Sequence, residues 1–205
     1  MLNANKFLDT KFDLSEKVAL ITGAAGLLGI EHAIALIQSG ANVVMTDINI
    51  DKLNISANRV LKATGINPMI MSLDVSNQDS IVLSQKELVS KGMAVTILIN
   101  NAAIDPKVDK DSIVETSRLE NFSVDDWDFQ IKVGLTGAML CSKVFGTEMA
   151  NNNGGVIINV ASDLSVFGPD QRLYKKDQIS PELQPVKPVT YSVIKHGLIG
   201  LTKYL

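Results

Sequence analysis

Apolar residues come in short unbroken runs separated by longer stretches with helical spacing. The runs are VALIT at 18–22, NVVMTD at 42–47, MIMSLDV at 69–75, VTILIN at 95–100 and VIINVAS at 156–162. Each is too short for a buried helix and lacks polar alternation, which is the pattern of a strand covered on both faces. Residues 27–39, 50–63, 77–91 and 124 to about 151 space their apolar side chains as helices do. Gly40, Gly65 and Gly92 stand where C-terminal glycines belong, and Ser76 with Asp79 and Ser123 with Asp126 predict N-caps with an acid in the first turn. Strand and helix alternate throughout, which predicts an α/β fold: a three-layer, doubly wound parallel sheet of the Rossmann type, with every crossover on the same hand. No linker or repeat divides the chain, so residues 1–205 read as a single dinucleotide-binding domain with a polar extension at 1–16. Two long loops, 103–121 and 163–189, follow the fourth and fifth strands, at the carboxyl ends where such sheets keep their ligands.

Composition narrows the function classes. With 205 residues, 46% of them hydrophobic and 20% charged, the chain can enclose an apolar core, which excludes a disordered protein. Nineteen basic and twenty-two acidic residues, a net charge of −3 without blocks, supply no phosphate-tracking stripe, so no nucleic acid partner is expected. Cys141 is the single cysteine and the two histidines, His32 and His196, are far apart, which offers neither a disulfide nor a metal cluster and suits a reducing cytoplasm. Cys141 reads as a small buried residue. No apolar stretch reaches the length of a membrane span and the opening segment has no signal-like apolar core, so a soluble, unexported, cytoplasmic protein is expected.

The chemistry begins where the first strand runs into TGAAGLLG, Thr22 to Gly29, and on into a helix. Gly23 allows the tight turn, Gly26 lets a pyrophosphate approach the backbone, and Gly29 permits close helix–strand packing, while the helix N-terminus offers N–H groups to phosphate. Asp47 ends the second strand about twenty residues on, where a carboxylate accepts hydrogen bonds from both hydroxyls of an adenosine ribose and repels a 2′-phosphate; NAD(H) is therefore expected over NADP(H). Asp74, at the end of the third strand, either meets the adenine amino group or serves as a turn acid. Near the other end, Tyr191 and Lys195 in YSVIK lie four apart, on one helical face. A phenol is a poor acid–base group at neutral pH until a neighbouring ammonium stabilises its phenolate. Ser162, leaving the fifth strand, is placed to hydrogen-bond the same substrate oxygen.

Four elements in order, TGAAGLLG, NNAA (Asn100 to Ala103), the serine of INVAS (Ser162) and YSVIK, resemble the short-chain dehydrogenase/reductase family, from about Lys17 to the last residue. The resemblance implies hydride transfer between a nicotinamide and an alcohol/ketone pair. Ser162, Tyr191 and Lys195 would be the catalytic residues, and the coenzyme would be held by Gly23, Gly26, Leu28, Gly29, Asp47, Asp74, Val75, Asn101 and Ala103 together with Tyr191 and Lys195. The stretch DLSVFGPDQRLY before YSVIK is similar to members associated with surface-sugar or flagellin-glycan synthesis, which makes a sugar derivative the expected substrate, with a small hydrophobic ketone as the competing reading.

The chain departs from that pattern in four places. Its glycine spacing, TGxxGxxG, is more typical of extended members that act on nucleotide sugars. In VGLTG, Gly134 replaces an asparagine that supports a relay water in the family, so an impaired or rerouted relay is expected. The inserted QRLYKKDQISPELQPVKP carries Arg172, Lys175, Lys176 and Lys187, which read either as a solvated lid or as a reception for an anionic sugar. Finally, Leu205 falls within the Tyr191 helix, before the last strands of the family, so either the chain is a fragment or its sheet stops early. Trp127, Phe129 and Ile131 open a helix that packs on a second subunit in the family, which implies a homo-oligomer for a full-length protein; core packing explains them equally well. Two rival readings stand beside the oxidoreductase: a nucleotide-sugar epimerase or dehydratase, and a non-catalytic NAD-binding domain.

Overall fold

The computed structural model describes residues 12–104 and 116–205. The N-terminal extension before residue 12 and residues 105–115 of the first long loop lie outside the described residues. Five strands, β1 (Val18–Ile21), β2 (Asn42–Asp47), β3 (Met69–Ser72), β4 (Ile97–Asn100) and β5 (Val156–Asn159), form one sheet in the order β3-β2-β1-β4-β5. β1 runs parallel to both β2 and β4, and β2 runs parallel to β3. All four residues of β1 and of β4 are buried, as the unbroken apolar runs predict. The strand order reverses between β1 and β4, so their carboxyl ends open the crevice where folds of this kind bind nucleotides. The expected doubly wound α/β architecture is the one observed.

Contacts group the chain into two compact units, Met1–Ala102 with Leu140–Ile158, and Ala103–Met139 with Asn159–Leu205. The first holds the strands, α1 (Leu27–Gln38), α2 (Ile50–Thr64), α3 (Gln78–Ser90) and most of α5 (Gly137–Asn151). Leu20, Ile21, Met45, Leu53, Ile81, Leu88, Leu98 and Phe145 are all but inaccessible to water; each such side chain contributes about 1.5–3 kcal/mol by its burial. Polar ties fix the helices on this core. Gln85 Nε2 of α3 donates to Glu148 Oε2 of α5 at 2.7 Å, and Asn100 Nδ2 at the end of β4 donates to Ser142 Oγ of α5 at 3.1 Å. The Cys141 thiol is buried as expected, and burial pushes its pKa up to about 12.

The second unit contains α4 (Val124–Ile131), a π-helical turn at Lys132–Thr136, the start of α5, and α6 (Val189–Tyr204). Ala138, Ile194 and Leu198 form its apolar centre, with Ile131, Leu135 and Leu201 packed around them. Thr190 Oγ1 of α6 donates to Gln130 Oε1 of α4 at 2.5 Å, both residues buried. The segment after β5 has no long element. It folds as three 3-10 turns at Asp163–Ser165, Gln171–Tyr174 and Pro181–Leu183.

The structure corrects several boundaries. The helix expected from 124 to about 151 is interrupted by the π-helical turn, whose single extra residue leaves no mark on apolar spacing. The N-cap of α3 is Asn77, whose Oδ1 accepts from the Asp79 and Ser80 amides; Ser76 is taken instead by Asp74, whose Oδ1 accepts from its amide and hydroxyl. Ser123 caps α4 as predicted, accepting from the Asp126 amide at 3.0 Å. β1 stops one residue before Thr22, and β5 stops at Asn159 instead of reaching Ser162.

Candidate functional site

In the first unit the glycine turn sits at the carboxyl ends of β1 and β4. Gly23 has a φ of +62°, and a Cβ there would stand 2.6 Å from Ala102 Cα, so the turn and the NNAA strand exit approach as closely as two backbones can. Gly29, in the first turn of α1, is packed so that a Cβ would stand 2.5 Å from Ala24 Cα. Gly26 is the N-cap of α1; no side chain caps this helix and no acid stands in its first turn, so its leading N–H groups suit a phosphate. Leu28 is exposed on that first turn. Asp47 is half-buried at the end of β2, with Oδ2 accepting from the Ala25 amide at 3.2 Å and Oδ1 from the Asn49 amide at 2.9 Å. That bond holds the carboxylate beside the turn. Asp74 spends one oxygen on Ser76, as a turn acid does, and Val75 is buried beside it.

Asn101 does more than line this crevice. Its Nδ2 donates to the carbonyls of Thr22 and Gly23, both at 3.0 Å. Thr22 Oγ1 accepts from the amides of Asn101 and Ala102, at 3.0 and 3.1 Å, and donates to the Ile99 carbonyl at 3.3 Å. Thr22 was not among the expected site residues, although it opens the glycine motif; a threonine at the exit of a buried strand was the available signal.

In the second unit a cavity of about 410 Å³ brings Tyr191 and Lys195 together with Gly134 and Ala103, a size that suits a small molecule. Lys195 is buried and its Nζ donates to the Val160 carbonyl at 2.5 Å, with the ammonium 5.7 Å from the centre of the Tyr191 ring. Burial, and then the charge of Lys187, hold the Lys195 pKa below the usual lysine range. Lys187 itself stands over the Tyr191 ring at 3.8 Å, a cation–π contact.

Ser162 does not line this cavity. It caps the first 3-10 turn, where its hydroxyl donates to Asp163 Oδ1 at 2.8 Å and accepts from the Leu164 amide at 3.2 Å. The Ser162 hydroxyl and the Leu164 amide hold the Asp163 carboxyl below its usual range. Gly134 is buried in the π-helical turn, and a Cβ there would come within 3.0 Å of two side-chain carbons of Ile194. Any side chain at position 134 therefore meets Ile194, which has to give way to it.

The inserted segment is pinned by two glutamines. Gln184 accepts from the Lys176 amide at 2.8 Å and donates to the carbonyls of Lys176 and Ile179 at 2.9 and 2.6 Å. Gln171 accepts from the Lys187 amide at 2.8 Å and donates to its carbonyl at 3.5 Å. Neither glutamine was anticipated, because bonds across irregular backbone follow no period.

Comparison with known proteins identifies the family and the fold. A family model described as short chain dehydrogenase matches residues 17–174. The chain is 34% identical over 192 residues to the short chain dehydrogenase/reductase dpfgG of Gibberella zeae, covering 93% of this chain and 63% of that protein. It is 27% identical over 203 residues to the NAD-dependent glycerol dehydrogenase of Listeria innocua, covering 98% and 67%. Among solved structures, a gluconate 5-dehydrogenase from Burkholderia cenocepacia in complex with NADP and tartrate is 26% identical, with a TM-score of 0.76 over 96% of this chain and 67% of that one. The chain therefore spans about two thirds of the length of the relatives it matches.

Proposed function

The chain belongs to the short chain dehydrogenase family, and we propose that it is a cytoplasmic NAD(H)-dependent oxidoreductase that interconverts a secondary alcohol and a ketone on a polyol or sugar derivative. The observation that carries this reading is the cavity in which Tyr191 lies beside two lysine ammonium groups. Tyr191 passes the hydroxyl proton to, or takes it from, the substrate oxygen, with the Lys187 and Lys195 ammonium groups 3.8 and 5.7 Å from the centre of its ring. Lys195 is fixed for that task by the Val160 carbonyl. The Ser162 hydroxyl, with its proton committed to Asp163, has a lone pair left to accept from a substrate hydroxyl; to donate to a ketone it has to turn away from Asp163.

The uncapped start of α1 and the tight turn at Gly23 fit a dinucleotide pyrophosphate, and the half-buried Asp47 carboxylate suits ribose hydroxyls and repels a 2′-phosphate. The nicotinamide coenzyme, when bound, supplies the hydride acceptor or donor. The exposed Val124 and Phe129 support α4 as a surface for association with a second copy.

The test is a titration of NADH and NADPH against the fluorescence of Trp127, followed by a screen of polyols and sugar acids for a change in nicotinamide absorbance. Binding of NADH with turnover of a secondary alcohol is expected. Absence of coenzyme binding overturns the reading, and binding without turnover favours the non-catalytic one.

A further inference from the structure

Of the four cations in the inserted segment, the structure separates two from the rest. Arg172 is spent on Asp170, with Nε and Nη2 donating to its carboxylate at 2.9 and 2.7 Å, and Lys175 does not line the cavity. Lys176 and Lys187 do. With Lys195 they give the cavity three ammonium groups against one carboxylate among the described residues, that of Asp126. Asp126 is itself engaged, since its Oδ2 accepts from Ser123 Oγ at 2.8 Å. Among the described residues neither Lys176 nor Lys187 has an ion-pair partner.

We propose that Lys187 and Lys176 form an anion subsite at one end of the substrate cavity, so that the alcohol or ketone turned over by this protein carries a carboxylate or phosphate group. The inference rests on the oxidoreductase reading and adds the charge of its substrate. Like charges converging on a concave surface repel one another, and an anion seated among them offsets that repulsion. Burial, and after it the Lys187 charge, hold the Lys195 pKa below the usual lysine range. A solvated surface lysine needs no fixed backbone, yet each of these two has its own amide and carbonyl bracketed by one glutamine, Gln184 for Lys176 and Gln171 for Lys187. Side-chain amides that hold the main chain at both lysines limit the entropy lost when the ammonium groups close on an anion. The place of Lys187, 3.8 Å from the centre of the Tyr191 ring, sets the anion subsite beside the acid–base group of the oxidoreductase reading. The preferred substrate is therefore a hydroxy acid or a sugar phosphate with its charge near the oxidised position.

The experiment compares initial rates of the full chain with saturating NAD on three alcohols of equal chain length: a neutral alditol, the corresponding aldonate and the alditol phosphate. Wild type is expected to favour one anionic alcohol over the neutral one by roughly 10–100-fold in kcat/KM. The better of the two anions identifies the group. Lys187→Met with Lys176→Met removes most of that preference, and Lys187→Arg retains it. A second arm measures the affinity for malonate and for inorganic phosphate by calorimetry with saturating NADH, in wild type and the double methionine variant, without reliance on turnover. Loss of anion affinity in the variant supports the subsite even where no alcohol is oxidised, and in that case the oxidoreductase reading alone fails. Equal kcat/KM for neutral and anionic alcohols, or anion affinity unchanged by the two substitutions, overturns the subsite while leaving the oxidoreductase reading intact. Coenzyme titration and thermal melts of each variant verify folding.

Discussion

The glycine turn at residues 22–29 and the inserted segment at 171–188 are both irregular backbone braced by side chains, but only the turn adds a left-handed glycine and a close approach of two backbones. The turn combines a positive φ at Gly23 with short side chains: Asn101 Nδ2 donates to the carbonyls of Thr22 and Gly23, Thr22 Oγ1 accepts from the Asn101 amide, and Asp47 Oδ2 accepts from the Ala25 amide. The inserted segment is held by long side chains reaching back to the backbone, chiefly Gln171 and Gln184, with Ser117 Oγ accepting from the Val186 amide. A left-handed glycine and short polar side chains at a close approach demand particular residues, whereas long flexible braces tolerate many sequences. A ligand shared by many proteins can be met by the first. A ligand peculiar to one protein calls for the second.

Separation of chemistry from coenzyme binding gives the largest expected effect. Tyr191→Phe should lower kcat by about 10²–10⁴-fold through loss of the acid–base group, with the NADH titration curve little changed. Equal loss of both would break the division of labour. Next, Gly23→Ala places a Cβ against Ala102 in a left-handed backbone and should cost about 1–3 kcal/mol; the thermal midpoint and NADH affinity should fall together. Gly134→Asn should cost a comparable amount, about 1–3 kcal/mol by overpacking against Ile194. Combined with Ile194→Ala, the two should be non-additive in a double-mutant cycle measured by denaturant unfolding.

How far the chain could be read in advance follows the same division. The buried strands were legible because unbroken apolar runs have few other uses, and the glycine turn because its steric demands leave little choice. Asn77 and Ser76 are both good caps, and only the capture of Ser76 by Asp74 decides between them. The fit of Ile194 over Gly134 joins residues sixty positions apart, and neither residue type announces the other. Ser162 was placed by its strand, yet its hydroxyl is engaged by the following turn.

Two smaller effects sharpen the contrast. Gln184→Ala removes three hydrogen bonds of the inserted segment and should cost only about 1 kcal/mol, given the exposure of that region; the clearer readout is faster hydrogen exchange at the Lys176 amide, with the glycine turn unchanged. The last concerns pH. Because the Lys195 pKa is lowered in the fold, activity that needs its ammonium is present at lower pH and is lost as pH rises, on a limb that begins below the ordinary lysine value of 10.5. Lys187→Met removes one cause of the lowering, so the limb should move to higher pH in a rate profile.

Thr22 carries a consequence for what this chain can become. Its hydroxyl gives its one proton to Ile99 and fills both lone pairs with the amides of Asn101 and Ala102, so none of its bonding capacity is idle. An isosteric valine would strand two amides at the mouth of the crevice, and serine is the one exchange that keeps all three partners. Mutational drift meets no packing constraint at the exposed Leu27 five positions on, but at this oxygen the route to other sequences narrows to a single step.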